Sequence, residues 1–388
     1  MKDIEEKVCL CTLGRIFGFE PKTALALISY SGSAKAIFRM SSGELDSLLG
    51  PYSRHRNLIH EADLDRTYRE LASLEKDSIY YIGWTEQGYP SLLKECEDAP
   101  VGLYIRSETP VQELWKPSRR ISVVGTRDIS PYGREWCEKT VRGLADSGER
   151  PLIVSGLALG TDICAHRTAL ECGLPTIGVM ATGPESIYPH RNQATARQMI
   201  STPGCALITD YPPGTAPLAL HFLRRNRIIA GLSEATILIE SKIKGGGMMT
   251  SRLAFSYNRE VYALPGRADD LRSQGCNRLI REKIAEPLTS VEDLLDCLGM
   301  KMRKKAAKPS DREVLMNMYS QSMGEDRIDM MHAILSSVRK ERGICLEDIG
   351  LCTGIPYHTV RNLCSIMESD GLLSTDLLQR CSIRTKNF

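Results

Sequence analysis

The sequence lacks the marks of most familiar chemistries. No stretch approaches the roughly 20 apolar residues that a membrane span requires. Thirteen cysteines are present, yet no two are spaced C-x-x-C. Cys9 and Cys11 stand one residue apart, and others, such as Cys137, Cys164, Cys172 and Cys364, sit singly within apolar patterns. That spacing supports no zinc site and fits buried structural thiols in a reducing compartment. Charge of one sign is missing too: 50 basic residues against 48 acidic leave a net +2. With no global positive field, any polyanion has to be met by local clusters. No Gly-x-Gly-x-x-Gly follows the first predicted strand, no P-loop signature occurs, and no Gly-x-Ser-x-Gly elbow occurs. Ordinary NAD binding, P-loop ATP hydrolysis and nucleophile-elbow acyl transfer therefore lack support. The predicted set of cofactors, metals and catalytic residues is empty. The first residues, MKDIEEKVCLCTLGR, place acids before a short apolar run, unlike a secretory leader. Cytoplasm is the expected compartment.

What is present is a multidomain globular chain. Its 388 residues, 42% apolar and 25% charged, exceed one ordinary core and predict two or three domains. Residues 1–84 read as short helices: Lys22–Phe38 has helical apolar spacing, and Ser41-Ser42-Gly43-Glu44 before Leu45 has the pattern of a helix start. From about residue 120 to 299, apolar runs of strand length alternate with helical stretches. The predicted strands are Ile121–Val124, Leu152–Ser155, Thr176–Met180, Ala206–Thr209, Thr236–Glu240 and Glu260–Leu264. Helices between them include Tyr132–Ser147, Asp162–Cys172 and Met249–Tyr257. Continuous apolar strands separated by helices imply a parallel α/β sheet buried on both faces, a doubly wound domain assigned to residues 85–299. A basic linker, 300–310, follows. Residues 311–388 then carry a helix-turn-helix pattern, Leu346–Cys352 and Tyr357–Ser369 around Gly354-Ile355-Pro356, with a β-wing expected from Gly371.

Ligands of such sheets bind beyond the carboxyl ends of the strands, and the unusual residues cluster there. Gly125-Thr126-Arg127 follows the first strand. Ser130-Pro131 then suits the start of a helix whose first N–H groups would face an anion. The second strand ends in Ser155-Gly156, within a glycine-rich turn that reaches Asp162. After the third comes Tyr188-Pro189-His190-Arg191-Asn192. Near the fifth strand lie Lys242, Lys244 and the run Gly245-Gly246-Gly247, whose backbone N–H groups can approach an anion closely. Any one of these loops alone reads as a tight turn; several at one edge point to a phosphate-binding crevice.

The sharpest cluster is His221-Phe222-Leu223-Arg224-Arg225-Asn226-Arg227. On a helix, Phe222, Ile229 and Ala230 are expected to face the core, with Arg224 and Arg227 together on the opposite face. No acidic residue lies between Tyr211 and Glu234, so no local counter-charge is evident for the three arginines, a state that favours phosphate. His166, His190 and His221 read as packing or capping residues.

These residues resemble those of the DNA-processing protein A (DprA/Smf) family. The family's Gly-Ser/Thr-Arg is matched by Gly125–Arg127, and its Ser-Gly-Leu-Ala-x-Gly-x-Asp by Ser155–Asp162. Tyr-Pro-x-x-Asn is matched by Tyr188–Asn192, and Arg-Asn-Arg-Ile-Ile-Ala-Gly-Leu-Ser by Arg225–Ser233. Gly-Cys-Asn-x-Leu-Ile at Gly275–Ile280 and Pro265-Gly266 extend a similarity that spans roughly residues 85–298. The resemblance implies an extended Rossmann-like core, a sterile-alpha-motif-like N-terminal domain and a C-terminal winged helix. It also implies a homodimeric, non-catalytic recombination mediator that protects incoming single-stranded DNA in natural transformation and loads the RecA recombinase onto it. The residues expected to contact the strand are Gly125, Thr126, Arg127, Ser155, Gly156, Arg191, Phe222, Arg224, Arg225, Asn226, Arg227, Lys244, Gly246 and Gly247. The chain departs from the family at Leu159, where a basic residue is common, and in its triple glycine, where a serine or threonine is common.

The rival reading is a nucleotide-processing enzyme or nucleotide sensor on a related Rossmann-like fold. The nucleotide N-glycosidase signature Pro-Gly-Gly-x-Gly-Thr, with its catalytic glutamate, does not match Gly245–Arg252. A further alternative makes the C-terminal helix-turn-helix a duplex reader, but His358 and Arg361 are its second helix's only basic residues. A protein-interaction role is expected there instead.

Overall fold

The computed structural model describes residues 2–301, 310–341, 343–376 and 379–383. The expected basic linker falls almost wholly on residues 302–309, outside that set. The chain forms two compact units, Met1–Arg303 and Lys304–Phe388.

The first unit is organised around a nine-stranded sheet. Its strands are β1 (Ile79–Gly83), β2 (Gly102–Arg106), β3 (Arg120–Val124), β4 (Leu152–Ser155), β5 (Thr176–Val179), β6 (Ala206–Thr209), β7 (Ala235–Leu238), β8 (Glu260–Ala263) and β9 (Glu286–Pro287). The spatial order is β1-β2-β6-β5-β4-β3-β7-β8-β9. β6 through β9 run parallel, while β1 and β2 add antiparallel at one side. All six sequence-predicted strands form, within two residues at each end. β1, β2 and β9 escaped notice: the first two form a separate antiparallel edge, and β9 is only two residues long. β1 also carries residues 79–83, read from sequence as part of the helical segment, into this sheet.

Branched apolar side chains at consecutive positions make these strands, because each strand is covered on both faces. In β3, Ile121 and Val123 pack with Cys137, Val141 and Leu144 of the helix Pro131–Asp146. Val124 points the other way, to Ile228 and Ile229 of the helix Ala219–Gly231 and Met248 of the helix Gly246–Ser256. Burying each such side chain stabilises by about 1.5–3 kcal/mol. The fold is therefore α/β with a doubly wound parallel core. Chain order reverses at β3, since β4 to β6 step away on one side and β7 to β9 on the other. That reversal is where a doubly wound sheet opens a crevice.

Six short helices precede the sheet. The expected Lys22–Phe38 helix is broken: Pro21–Ser31 ends at Gly32 with φ 76°, and Ser33 caps a new helix, Ala34–Ile37. A capping box of Ser41 and Glu44 starts the helix Ser42–Leu49 as read. The helical core continues onto Tyr81, Val101 and Tyr104 around the β1–β2 hairpin. That shared core makes helices and sheet one unit.

The second unit, described by itself, carries the helices Asp311–Tyr319, Glu325–Lys340, Leu346–Thr353 and Tyr357–Ser369. A three-stranded antiparallel sheet accompanies them: Ile344–Cys345, Arg380–Ile383 and Leu373–Thr375, in that spatial order. Leu346–Thr353 ends at Gly354 in the left-handed region, φ 71°, which sets the turn between the last two helices. Among the described residues, no helix is long and apolar enough to cross a membrane.

Candidate nucleic-acid interface

A crevice of about 670 Å³ opens at the carboxyl ends of β3 and β7, at the sheet's reversal point. Of the fourteen residues expected to contact a strand, it brings together Gly125, Thr126, Arg127, Phe222, Arg225, Asn226, Lys244, Gly246 and Gly247. Three loops meet here because glycine lets them touch. A Cβ on Gly125 would lie 2.5 Å from Thr161 Oγ1, and one on Gly247 2.5 Å from Leu238 Cδ1 and 3.3 Å from the Gly125 Cα.

Two features of the crevice suit an anion, although Asp128 and Asp162 also line it. The first is a bare helix end: Gly246–Ser256 starts at Gly245 with no side-chain cap, so its first N–H groups and dipole are available to an anion. The other helix expected to do this does not. At Pro131–Asp146, the Ser130 hydroxyl accepts from Gly133 N–H at 3.0 Å. The buried Glu240 carboxylate, in turn, takes the Ser130 N–H at 2.9 Å and its hydroxyl at 2.5 Å. An acid already fills that anion position, and Gly133 is glycine because a Cβ would strike it at 2.5 Å.

Side-chain cations are the second feature. Arg127 is exposed, and its guanidinium lies 5.2 Å from the Phe222 ring centroid, a cation–π contact. Tyr188 packs on the same ring at 5.5 Å. No carboxylate pairs with Arg127, Lys242 or Lys244 among the described residues. Arg225 forms part of the crevice wall, only 4% exposed. It donates to Val179 O at 2.7 Å, while its Nε–H has no partner. Burial pulls its pKa down to about 10, opposed by nearby Asp162. Burial likewise raises Asp162, against the pull of Arg225. These two groups flank Gly156, where a Cβ would lie 2.0 Å from Arg225 Nη1 and 2.5 Å from Asp162 Oδ2. His166, wholly buried behind them, is held neutral: desolvation and Arg225 bring its pKa to about 3.

The family model of DNA recombination-mediator protein A matches residues 80–299, from the start of β1 to the helix Val291–Cys297. The chain belongs to that family. DNA processing protein DprA of Streptococcus pneumoniae is 39% identical over 207 residues, which is 53% of this chain and 70% of that protein. The X-ray structure of DprA from the same species superposes with a TM-score of 0.60 at 31% identity, covering 73% of this chain and 95% of that one. A second structure is DNA processing protein A of Helicobacter pylori, described for its unique single-stranded DNA binding mode. It superposes at TM-score 0.50 and 29% identity, over 56% of this chain and 95% of that one.

Within this family frame, five of the fourteen residues do not line the crevice. Ser155 is fully buried and donates to Val123 O at 2.6 Å. Gly156 lies behind Arg225, as just described. Arg191 is exposed on the short turn His190–Asn192, and the part of that loop which reaches the crevice is Tyr188. Arg224 turns to the N-terminal helices, donating to Gly18 O at 2.5 Å with its guanidinium 3.9 Å from the Phe19 ring centroid.

Arg227 corrects the expectation of unpaired arginines. It binds Asp210 Oδ2 at 2.5 Å and Asp98 O at 2.7 Å, and both charged side chains are largely buried. Phe222 is a second correction, since it stands half-buried at the crevice rather than in the core. Tyr188, Asp162 and Lys242 are lining residues absent from the expected set. All three stand within the loops read from sequence, though none was placed among the contacting residues.

Proposed function

We propose that this chain binds single-stranded DNA in the crevice at the sheet's reversal point and acts as a recombination mediator. The observation that carries the reading is the set of cations without protein counter-charges, Arg127, Lys242 and Lys244, beside the uncapped helix start at Gly246. The single-stranded-DNA-binding relative from Helicobacter pylori supports it. Basic groups and bare amides neutralise backbone phosphates without reading sequence. A flexible single strand bends into a crevice that a duplex, with its persistence length of ~50 nm, does not enter.

Binding rather than catalysis fits the carboxylates near this site. Glu240 caps a helix, Asp162 faces Arg225, and Asp128 is held by Arg272 at 2.5 Å. Each of the three already has a protein partner. We further propose that the protein works in the cytoplasm as a homodimer, protecting incoming strands in natural transformation and loading RecA onto them. In this reading residues 1–84 form a sterile-alpha-motif-like module, and 311–388 a winged helix used for protein contacts.

The test is a salt titration of affinity for oligo-dT against matching duplex. Binding should favour the single strand and fall with salt. Arg127→Ala should reduce the slope of log affinity against log salt by ~0.7, the value of one phosphate contact. Equal affinity for duplex, or an unchanged slope, overturns the reading.

A further inference from the structure

Two thiols that the strand-binding reading leaves unused stand on the helices that follow the first two crevice loops. Cys137, on Pro131–Asp146, is fully buried, and Cys164, on the helix Thr161–Glu171, is 4% exposed. Both belong to the core on one face of the sheet, where the small side chains of Ala165 and Ala169 let the two helices approach. Each sulfur reaches across to the other helix. Cys137 Sγ lies 3.8 Å from the carbonyl of Thr161, one turn before Cys164. Cys164 Sγ lies 4.0 Å from Glu138 Oε1, beside Cys137. The two thiols are therefore neighbours at one level of a helix pair, and the Cys137 S–H donates to the Cys164 sulfur.

That contact makes the two sulfurs unequal. The hydrogen bond from Cys137 draws the Cys164 thiol below its ordinary value, against burial and the charge of Glu138. The same contact, with burial, holds the Cys137 thiol up. By contrast, burial pushes Cys9 up to about 11 and Cys276 up to about 12. Thiolate character and access to solvent select the sulfur that an oxidant attacks. Cys164 has some of both, and a second thiol stands ready to displace the oxygen it gains.

We propose that Cys137 and Cys164 are a redox modification site, closed to a disulfide by hydrogen peroxide and reopened by a dithiol reductant. In the first step the Cys164 thiolate attacks one peroxide oxygen. The S–O bond forms, the O–O bond breaks, and the leaving hydroxide takes back the thiol's proton to depart as water. In the second step the Cys137 sulfur attacks the sulfenic sulfur of Cys164. The S–S bond forms, the S–O bond breaks, and the hydroxyl leaves as water with the Cys137 proton. Two thiols lose two electrons in all, and the peroxide is reduced to two waters. Thiols already in contact need little backbone movement to be bridged. The bond staples the helices behind the first two crevice loops, which meet where Thr161 N–H donates to Thr126 O at 3.1 Å. This inference does not depend on the strand-binding reading.

The experiment treats the full chain with hydrogen peroxide at neutral pH, alkylates the remaining thiols and digests without reductant. The expected product is a peptide pair joined through Cys137 and Cys164, lighter by two hydrogens and separated by dithiothreitol. Because the bond closes a loop of a few tens of residues, the thermal midpoint should rise by ~6 °C. Cys137→Ala removes the resolving thiol, so Cys164 should then go on to its sulfinic or sulfonic acid. Cys164→Ala should leave Cys137 reduced. A wild-type pair that stays reduced while the exposed Cys297 and Cys352 are oxidised overturns the proposal. So does a link to any other cysteine, or a wild-type Cys164 that over-oxidises without a link. The wild-type peptide map decides even where a variant does not fold.

Discussion

Arg227→Met should destabilise the protein and leave strand binding in the folded fraction intact. In sequence, Arg227 stands two residues from Arg225 in the same basic run. In the structure its guanidinium joins Asp210 at 2.5 Å and the carbonyl of Asp98 at 2.7 Å, with the two charged side chains 8% and 12% exposed. Removing the arginine strands the Asp210 carboxylate in a site with little water. Breaking a buried pair from one side costs about 3–5 kcal/mol. For a unit of about 300 residues, at roughly 2 °C per kcal/mol, the thermal midpoint should fall by about 6–10 °C. Asp210 Oδ1 and Arg227 Nε already lack partners, so the pair is imperfect and its joint removal should be mild. Arg227→Met with Asp210→Asn should therefore recover most of the loss. Calorimetry gives the midpoints, and fluorescence titration across salt gives the slope. An unchanged midpoint with a lower salt slope would refute the reasoning and return Arg227 to the interface.

Acid should expose the buried histidine. His166 has a folded pKa of about 3 against an ordinary ~6.5, so the unfolded chain binds the extra proton between those values. Stability is then full near pH 7 and falls with pH, by about 2–3 kcal/mol for this group at pH ~4.5. Asp162, raised by burial, works in the opposite sense, so the measurement is the wild-type minus His166→Gln difference in urea unfolding. A difference that does not change with pH would contradict the assignment. Gly160→Ala forces a side chain onto φ 77° with its Cβ 2.3 Å from Thr126 O. It should cost at least about 2 kcal/mol and weaken strand binding by parting the first two loops, where Thr161 N–H now meets Thr126 O at 3.1 Å. Both effects are readable by thermal unfolding and titration, and a variant of native stability would discount that approach. A chain ending at residue 303 should keep the salt-dependent affinity of the whole, because the crevice lies within one compact unit. Loss of affinity there would move the site to the other unit.

The parallel core was legible because burial on both faces leaves a local trace: four or five consecutive apolar, often branched residues per strand, then a helical stretch. The elements that escaped leave no such trace. β1, Ile-Tyr-Tyr-Ile-Gly, exposes Tyr80 on one side and shares a core with the N-terminal helices on the other. Its partner in the sheet, β2, lies beyond a long connection that carries the short helix Ser91–Lys94. The acid that fills the start of Pro131–Asp146 was hidden for a related reason. Ser130 announced the cap, but its second ligand, Glu240, comes from a strand end 110 residues away.

The arginine run shows where local reading failed and where it had the means to succeed. No acid lies between Tyr211 and Glu234, but Asp210 stands one position outside that window, while the Asp98 carbonyl is 129 residues from Arg227. Absence of a nearby acid in sequence is thus weak evidence that an arginine is unpaired. Helical periodicity was the better guide. Phe222, Arg225, Asn226 and Ile229 fall at i, i+3, i+4 and i+7, one face of a helix, and all four line the crevice. Arg224 and Arg227 belong to a different face, which packs on Gly18, Phe19 and Asp98. A run of basic residues on a helix is two populations, divided by its angular spacing. Here one population holds the N-terminal helices and the hairpin against the sheet, and the other is left to meet a ligand.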